Sequence, residues 1–257
     1  MRRGLVATRQ QAQEAISAGR VLVAGAPADK PARMVGADQP VVLTGPPPRF
    51  VSRGGEKLDA ALERFAVDVA GRSALDAGAS TGGFTDCLLQ RGAAHVVAVD
   101  VGYGQLHERL RRDERVTVLE RTNVRSLVLD APADVVVGDL SFISLATVAP
   151  ALLGPNAAPG ADVVLLVKPQ FEAGRAEVSK GRGVVREPAV WRRVLGECAA
   201  ALTAQGAAMM GVMVSPLKGA DGNVEFLVHL RAHHGVASGP PDELLDAVVA
   251  EAEGARS

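Results

Sequence analysis

Aromatic residues and cysteine are both scarce in this chain. One Trp, one Tyr and six Phe occur in 257 residues, so a core has to be filled largely by Ala and Val. Cys87 and Cys198 stand far apart without paired spacing, which excludes a disulfide framework and a cysteine-based zinc site and fits a reducing cytoplasm. The five histidines form no ligand pattern; His233 and His234 lie in a polar stretch, and no metal is expected. Long hydrophobic runs are also missing. The segment 163–167 stops at Lys168-Pro169, far short of the roughly 20 residues that span a bilayer. No signal-peptide pattern opens the sequence. The expectation is a cytoplasmic protein with no membrane partner.

Net charge is −1, yet its distribution is uneven. Residues 1–57 carry nine Lys/Arg against four Asp/Glu, a local net of +5 that leaves −6 for the rest. A basic module on a mildly acidic body suggests a polyanionic partner gripped at one end, with a solvated surface as the bland alternative. The change of character comes at Gly45-Pro46-Pro47-Pro48-Arg49, where three prolines favour an extended connector. This divides the chain into a module at 1–44, a linker at 45–52 and a body at 53–257.

The most informative stretch is Leu75-Asp76-Ala77-Gly78-Ala79-Ser80-Thr81-Gly82-Gly83-Phe84-Thr85. A short apolar run leads into glycines, and a helical pattern follows from Phe84. Strand, tight turn and helix in this order place a backbone against a ligand. Asp100 follows a second apolar run, Val96 to Val99, where an acid reaches ribose hydroxyls. A P-loop is excluded because Phe84 stands where its lysine and hydroxyl would begin. The dinucleotide fingerprint is met imperfectly, since Ser80 replaces its middle glycine. Asp76 would repel a pyrophosphate and suits the cationic methionine end of S-adenosylmethionine. By itself the loop favours a methyltransferase over a dehydrogenase, with a ligand-free glycine turn as the third reading.

The rest of the body alternates strand and helix. Strands are expected at 74–77, 96–99, 116–119, 134–137, 162–167, 207–214 and 224–230, which implies an α/β fold with a parallel sheet covered on both faces. The last two lack an intervening helix and should pair antiparallel through Ser215 to Gly219. Seven strands with a reversed last one is the Rossmann-like S-adenosylmethionine methyltransferase layout. In the amino-terminal module, a helix over 8–18 and strands at 21–23 and 41–43 are expected, and a final helix over 242–253 closes the chain.

Function in such sheets sits at the carboxyl ends of the strands. Asp139 and Lys168 follow apolar runs at two such ends, and Pro169 holds Lys168 extended. Glu225, read as lying inside an apolar strand, would be costly without a partner. Lys57 comes just after the linker. Together Lys57, Asp139, Lys168 and Glu225 could form an alternating-charge cluster able to take or guide the proton of an alcohol.

Six segments in order carry a resemblance: Arg53-Gly54-Gly55-Glu56-Lys57-Leu58, the 75–85 loop, Val101-Gly102-Tyr103-Gly104-Gln105-Leu106, Asp139-Leu140-Ser141-Phe142-Ile143-Ser144, Val167-Lys168-Pro169-Gln170-Phe171-Glu172 and Gly222-Asn223-Val224-Glu225-Phe226. Over residues 4–231 the chain resembles the TlyA family, ribosomal-RNA ribose 2′-O-methyltransferases with an S4-like RNA-binding domain joined to an FtsJ-like methyltransferase domain. The resemblance implies Lys57, Asp139, Lys168 and Glu225 as the catalytic set, and cytidine in ribosomal RNA as the target. It implies S-adenosylmethionine as cofactor, with Asp76, Gly78, Ser80, Thr81, Gly82, Gly83, Phe84, Asp100, Val101, Asn123 and Asp139 as its contacts. Arg3, Arg9, Arg20, Arg53, Lys180 and Arg182 are the candidates for RNA contact, the last two on a loop at 179–183. Relative to the family, the first S4 helix is truncated at Met1. Other readings are a non-catalytic RNA-binding assembly factor and, from the family's second label, a hemolysin.

Overall fold

The computed structural model describes residues 3–6, 9–46, 48–219, 221–233 and 242–254. The chain forms two compact units, Met1–Arg49 and Phe50–Ser257. Phe50, assigned to the linker by sequence, is instead buried in the second unit's core. The backbone N–H of Val51 donates to Asp86 Oδ2 at 2.8 Å. Residues 50–52 are therefore held by packing, not by proline stiffness.

In the first unit, α1 (Arg9–Ser17) precedes a three-stranded antiparallel sheet of β1 (Val21–Val23), β2 (Ala26–Pro27) and β3 (Val41–Leu43), in the order β2-β1-β3. Ala15, Val21, Val23 and Ala28 make a small core. The two-residue strand β2 is too short to leave a periodic signal, and the sequence does not show it.

The second unit contains α2 (Gly54–Arg64), β4 (Ser73–Ala77), α3 (Gly83–Gln90), β5 (His95–Val99), α4 (Glu108–Arg111), β6 (Val116–Leu119), β7 (Ala133–Gly138), α5 (Leu145–Leu153) and β8 (Ala157–Val167). There follow α6 (Pro169–Glu172), α7 (Arg175–Lys180), α8 (Pro188–Thr203), β9 (Ala208–Val214), β10 (Phe226–Arg231) and α9 (Asp242–Gly254). The seven strands lie in the order β6-β5-β4-β7-β8-β10-β9. Only β10 runs antiparallel to its neighbours, as the missing crossover helix requires. Val135, Val136, Val137, Val163, Val164 and Leu165 are fully buried, the mark of parallel strands covered on both faces.

Helix α2 is cued by Glu56 in its first turn and Arg64 in its last, which complement the helix dipole. Its buried Leu58, Ala61 and Leu62 recur at helical spacing and pack towards α3. Ser179 and Lys180, expected within a loop at 179–183, instead end α7. The turn after β4 needs glycine for steric reasons. Gly82 has φ +94°, and a Cβ there would lie 2.3 Å from the Cδ1 of buried Leu110.

Candidate active site

The reversal at β10 brings the site together. Gly138 pairs with Leu165 at the end of β7, and Phe226 pairs with Val167 at the start of β10. Asp139 and Lys168 thus leave adjacent parallel strands at their carboxyl ends, and Glu225 enters from the opposite direction beside Lys168. Glu225 lies one residue ahead of the strand, not inside it. Its burial follows from a partner: Lys57 Nζ, from the first turn of α2, donates to Glu225 Oε2 at 2.5 Å with both residues buried. Removing one member of such a pair costs about 3–5 kcal/mol, because the other is left charged and unpaired.

The second pair is Lys168 with Asp139. Nζ sits 2.5 Å from Asp139 Oδ1, off the hydrogen-bonding direction, and donates to Ser141 Oγ at 2.8 Å. The contact with Asp139 is therefore ionic, and Ser141 fixes the direction of the ammonium. Lys168 is largely buried, whereas the Asp139 side chain is 25% exposed. Gly54 borders this pair: a Cβ there would lie 3.8 Å from Asp139 Oδ2, so α2 begins beside Asp139. The four charges are two ion pairs on one sheet edge.

A cleft of about 540 Å³ opens next to Asp139, within the range of small-molecule sites. Of the residues expected to hold a cofactor, Gly78, Ser80, Asp100, Val101, Asn123 and Asp139 line it. Gly78 has φ +84°, and a Cβ there would lie 2.9 Å from the Asp139 carbonyl. Ser80 has φ +48°, with its N–H on Asp100 Oδ2 at 2.8 Å. Asp100 Oδ1 accepts from Gly102 N at 2.7 Å, so the carboxylate is fixed by two backbone donors and keeps lone pairs for a ligand.

Other candidates are displaced. Thr81, Gly82, Gly83 and Phe84 do not line the cleft. Phe84 is core, and a Cβ on Gly83 would meet Ser52 Oγ at 2.3 Å, so these positions serve the packing of α3. Asp76 lies behind the turn, fully buried. Its Oδ2 accepts from Thr85 Oγ1 at 2.6 Å, and Oδ1 has no partner among the described residues. Sequence reasoning did not select Gln105, Ser141 or Phe142, all of which line the cleft. Their signal was present in the 101–106 and 139–144 segments, but no periodicity marks them. Phe142 is 89% exposed, with its ring 4.9 Å from that of Phe171.

Among the RNA candidates, Arg3 donates to the carbonyls of Gly36 at 2.7 Å, Ala37 at 3.3 Å and Gln39. Arg20 Nε donates to the Thr44 carbonyl at 3.2 Å. Both guanidinium groups hold the first unit's own loops. Arg53 and Arg182 are exposed, and Arg182 sits in a turn after α7 with φ +52°. The side chains of Arg9 and Lys180 lie outside the described residues, as does His234.

The site tests a fit to a cationic nucleoside. Two acids stand on the cleft wall and a third behind it with an unpartnered oxygen, while Val101, Leu140, Phe142 and Ile143 offer apolar surface for a base. That donor set fits S-adenosylmethionine and opposes a phosphate. Burial lifts the Asp76 carboxyl from 3.8 to about 7; Thr85 opposes the rise, and Asp139 and Asp100 add to it. The folded state then holds a proton that the unfolded chain has released. This group's contribution to stability is fully present below pH 3.8, declines as pH rises and is lost above about 7. Asp76→Asn cannot titrate. Denaturation between pH 4 and 7 should show the wild type losing on the order of a few kcal/mol that the variant does not lose; parallel curves would contradict the assignment.

The match to known proteins follows the geometry. The FtsJ-like methyltransferase family matches residues 50–232, and the S4 domain family matches residues 2–41. The chain is 55% identical over 235 residues to the 16S/23S rRNA (cytidine-2'-O)-methyltransferase TlyA of Mycobacterium tuberculosis, covering 90% of this chain and 87% of that one. It is 39% identical over 230 residues to Hemolysin A of Brachyspira hyodysenteriae, covering 88% and 95%. A solved structure of a hemolysin-named protein from Streptococcus thermophilus has a TM-score of 0.81 at 40% identity, covering 98% of this chain and 93% of that one. An S-adenosylmethionine-dependent methyltransferase of Listeria monocytogenes shares the fold alone, with a TM-score of 0.53 at 16% identity over 70% of this chain and 99% of that one. With both domains matched in order and 55% identity across most of both chains, the chain belongs to the TlyA family of FtsJ-like methyltransferases that carry an S4 domain.

Proposed function

We propose that the protein methylates the ribose 2′-hydroxyl of cytidine in ribosomal RNA, using S-adenosylmethionine. The observation that carries this reading is the Lys168–Asp139 ion pair at the edge of an acid-walled cleft, backed by the buried Lys57–Glu225 pair. Asp100, Gly78, Ser80, Val101 and Asn123 would hold the cofactor. When bound, it supplies an electrophilic methyl group on a sulfonium.

The chain's own residues manage the 2′-oxygen. A ribose hydroxyl is a weak acid and a weak nucleophile until its proton is drawn off. Lys168 Nζ, directed by Ser141, takes up that proton as a free amine, after its own ammonium proton has passed out along Asp139 to solvent. Asp139 holds Lys168 in place by charge, while Ser141 sets its direction. Lys57 steadies the negative charge that grows on the oxygen, and Glu225 keeps Lys57 in place. The exposed Phe142 ring at the cleft wall gives an unstacked nucleobase a surface to lie on. The basic amino-terminal unit grips RNA phosphate, and ribosomal subunits in the cytoplasm are the setting. A non-catalytic assembly factor has no use for two ion pairs of buried or half-buried side chains set beside such a cleft. The hemolysin label gains nothing from the fold: no helix among the described residues is long and apolar enough to cross a membrane.

Four measurements test the reading. Lys168→Ala should lower methyl transfer from labelled S-adenosylmethionine by about 10²–10⁴-fold, with cofactor and RNA affinity kept within a few-fold. A 2′-deoxy nucleotide at the target should be inert, and methylation of its base would exclude this chemistry. Calorimetry on Asp100→Ala should show weakened cofactor binding, and unchanged affinity would remove Asp100 from the site. Deleting residues 1–44 should weaken binding to ribosomal subunits and flatten its salt dependence, because fewer counterions are released. If affinity and slope both survive, the first unit is not the anchor.

A further inference from the structure

Two chain segments carry the Lys168–Asp139 pair, and little burial holds one of them. Beyond Gly138–Leu165, the last paired residues of β7 and β8, residues 139–144 leave the sheet. Ser141 and Phe142 are exposed, and Phe142 has φ +64°. Leu140 and Ile143 pack against the core while only half-buried, and Leu145, the first residue of α5, is the first fully buried one. The other segment, 168–172, turns sharply: Phe171 N donates to the Lys168 carbonyl at 2.9 Å, and Ala173 N donates to that of Pro169 at 2.8 Å.

Between them lies Glu172, which does not line the cleft. Its Oε2 accepts from Ser144 Oγ at 2.6 Å and its Oε1 from Leu145 N at 2.8 Å. Ser144 is the N-cap of α5, and its own Oγ accepts from Ala146 N at 3.2 Å. A third tie runs to α8. Burial, with Glu172 beside it, keeps the Cys198 thiol protonated well above its ordinary range, so it donates to the carboxylate. The two segments thus meet at Lys168–Asp139, Lys168–Ser141, Phe171–Phe142 and Glu172–Ser144/Leu145. The last contact is the one that fixes the loop to a helix end and to the core.

We propose that Glu172 is a positioning residue for methyl transfer: by clamping 139–145 to 168–172, it holds Lys168 against Asp139 and Ser141 at the reacting position. This rests on the reading of Lys168 as the group that handles the 2′-hydroxyl proton. Misplacing a catalytic group by about 1 Å costs on the order of 10²-fold in rate. Glu172 itself does not line the cleft; its loss acts through the 139–145 loop, where the rate depends on the placement of Lys168 far more steeply than the broader contacts of Leu140, Phe142 and Ile143 with a ligand do.

The test is steady-state methylation of ribosomal RNA by the full-length wild type, Glu172→Ala, Glu172→Gln and Ser144→Ala, with cofactor-binding stoichiometry measured on each. Glu172→Ala should lower kcat by roughly 10–100-fold, with KM for RNA and for S-adenosylmethionine within about threefold and full stoichiometry. Glu172→Gln should recover most of the rate. Its amide oxygen still accepts from Leu145 N–H, and the Ser144 hydroxyl can turn to accept from the amide nitrogen. Ser144→Ala, the milder change, should lower kcat in the same direction with unchanged KM. Wild-type turnover in both Glu172→Ala and Ser144→Ala would overturn the proposal. So would a rate loss matched by an equal loss of binding-competent protein, which marks a purely structural role. An inactive wild type would instead count against the methyltransferase reading itself.

Discussion

Charge brought to the edge of a buried sheet has to be neutralised locally, and the site depends on that requirement. The interior of a parallel sheet covered on both faces has no water to solvate a carboxylate or an ammonium. Lys57 and Glu225 solve this with a direct bond across two distant parts of the chain. The pair ties the start of α2 to the start of β10. Because β10 is the reversed strand next to β8, the same bond sets α2 beside the end from which Lys168 emerges. The edge that carries Lys168 is therefore held by a buried ion pair as well as by the loops around it.

The turn after β4 follows a similar logic with glycine in place of charge. Positive φ at Gly78 and Ser80 lets the backbone pass close under the cleft, and Asp100 accepts from the Ser80 N–H of this turn and from Gly102 N in its own loop. Thr85 reaches back from α3 to Asp76, so strand and helix are joined by a hydrogen bond beneath the ligand surface. Gly82 and Gly83 serve a different need. They admit Leu110 and the start of α2 against α3, and so bring α2 and its lysine close to the loop.

Much of this was legible in the chain. Asp139 and Lys168 each end an apolar run, and strand-end placement follows from the fold's own rule. The missing helix before β10 announced the reversal. What was not legible depends on three-dimensional neighbours. Glu225 looked like a strand residue because its apolar flanks continue past it, and only the register with Val167 shows where the ladder begins. Phe84, Gly82 and Gly83 share the loop's sequence signature yet face the core, since a motif does not say which side of the turn a residue takes. Arg3 and Arg20 add to a basic count, but that count cannot reveal that carbonyls of their own unit occupy them.

The field inside the cleft gives the last step. Burial first, and then Asp139 and Asp100, raise the carboxyl of Asp76, so this third acid carries only part of a charge near neutral pH. Lys168 offsets Asp139 from one side. Asp100 is stabilised by backbone N–H groups, which carry no net charge, and Asp76 has one oxygen with no partner among the described residues. The balance leaves the cleft electronegative towards whatever enters. A cation there gains attraction from fixed groups that need no rearrangement, whereas an anion meets repulsion at the same groups. Selection for a positively charged nucleoside is thus built into the wall before any specific contact forms.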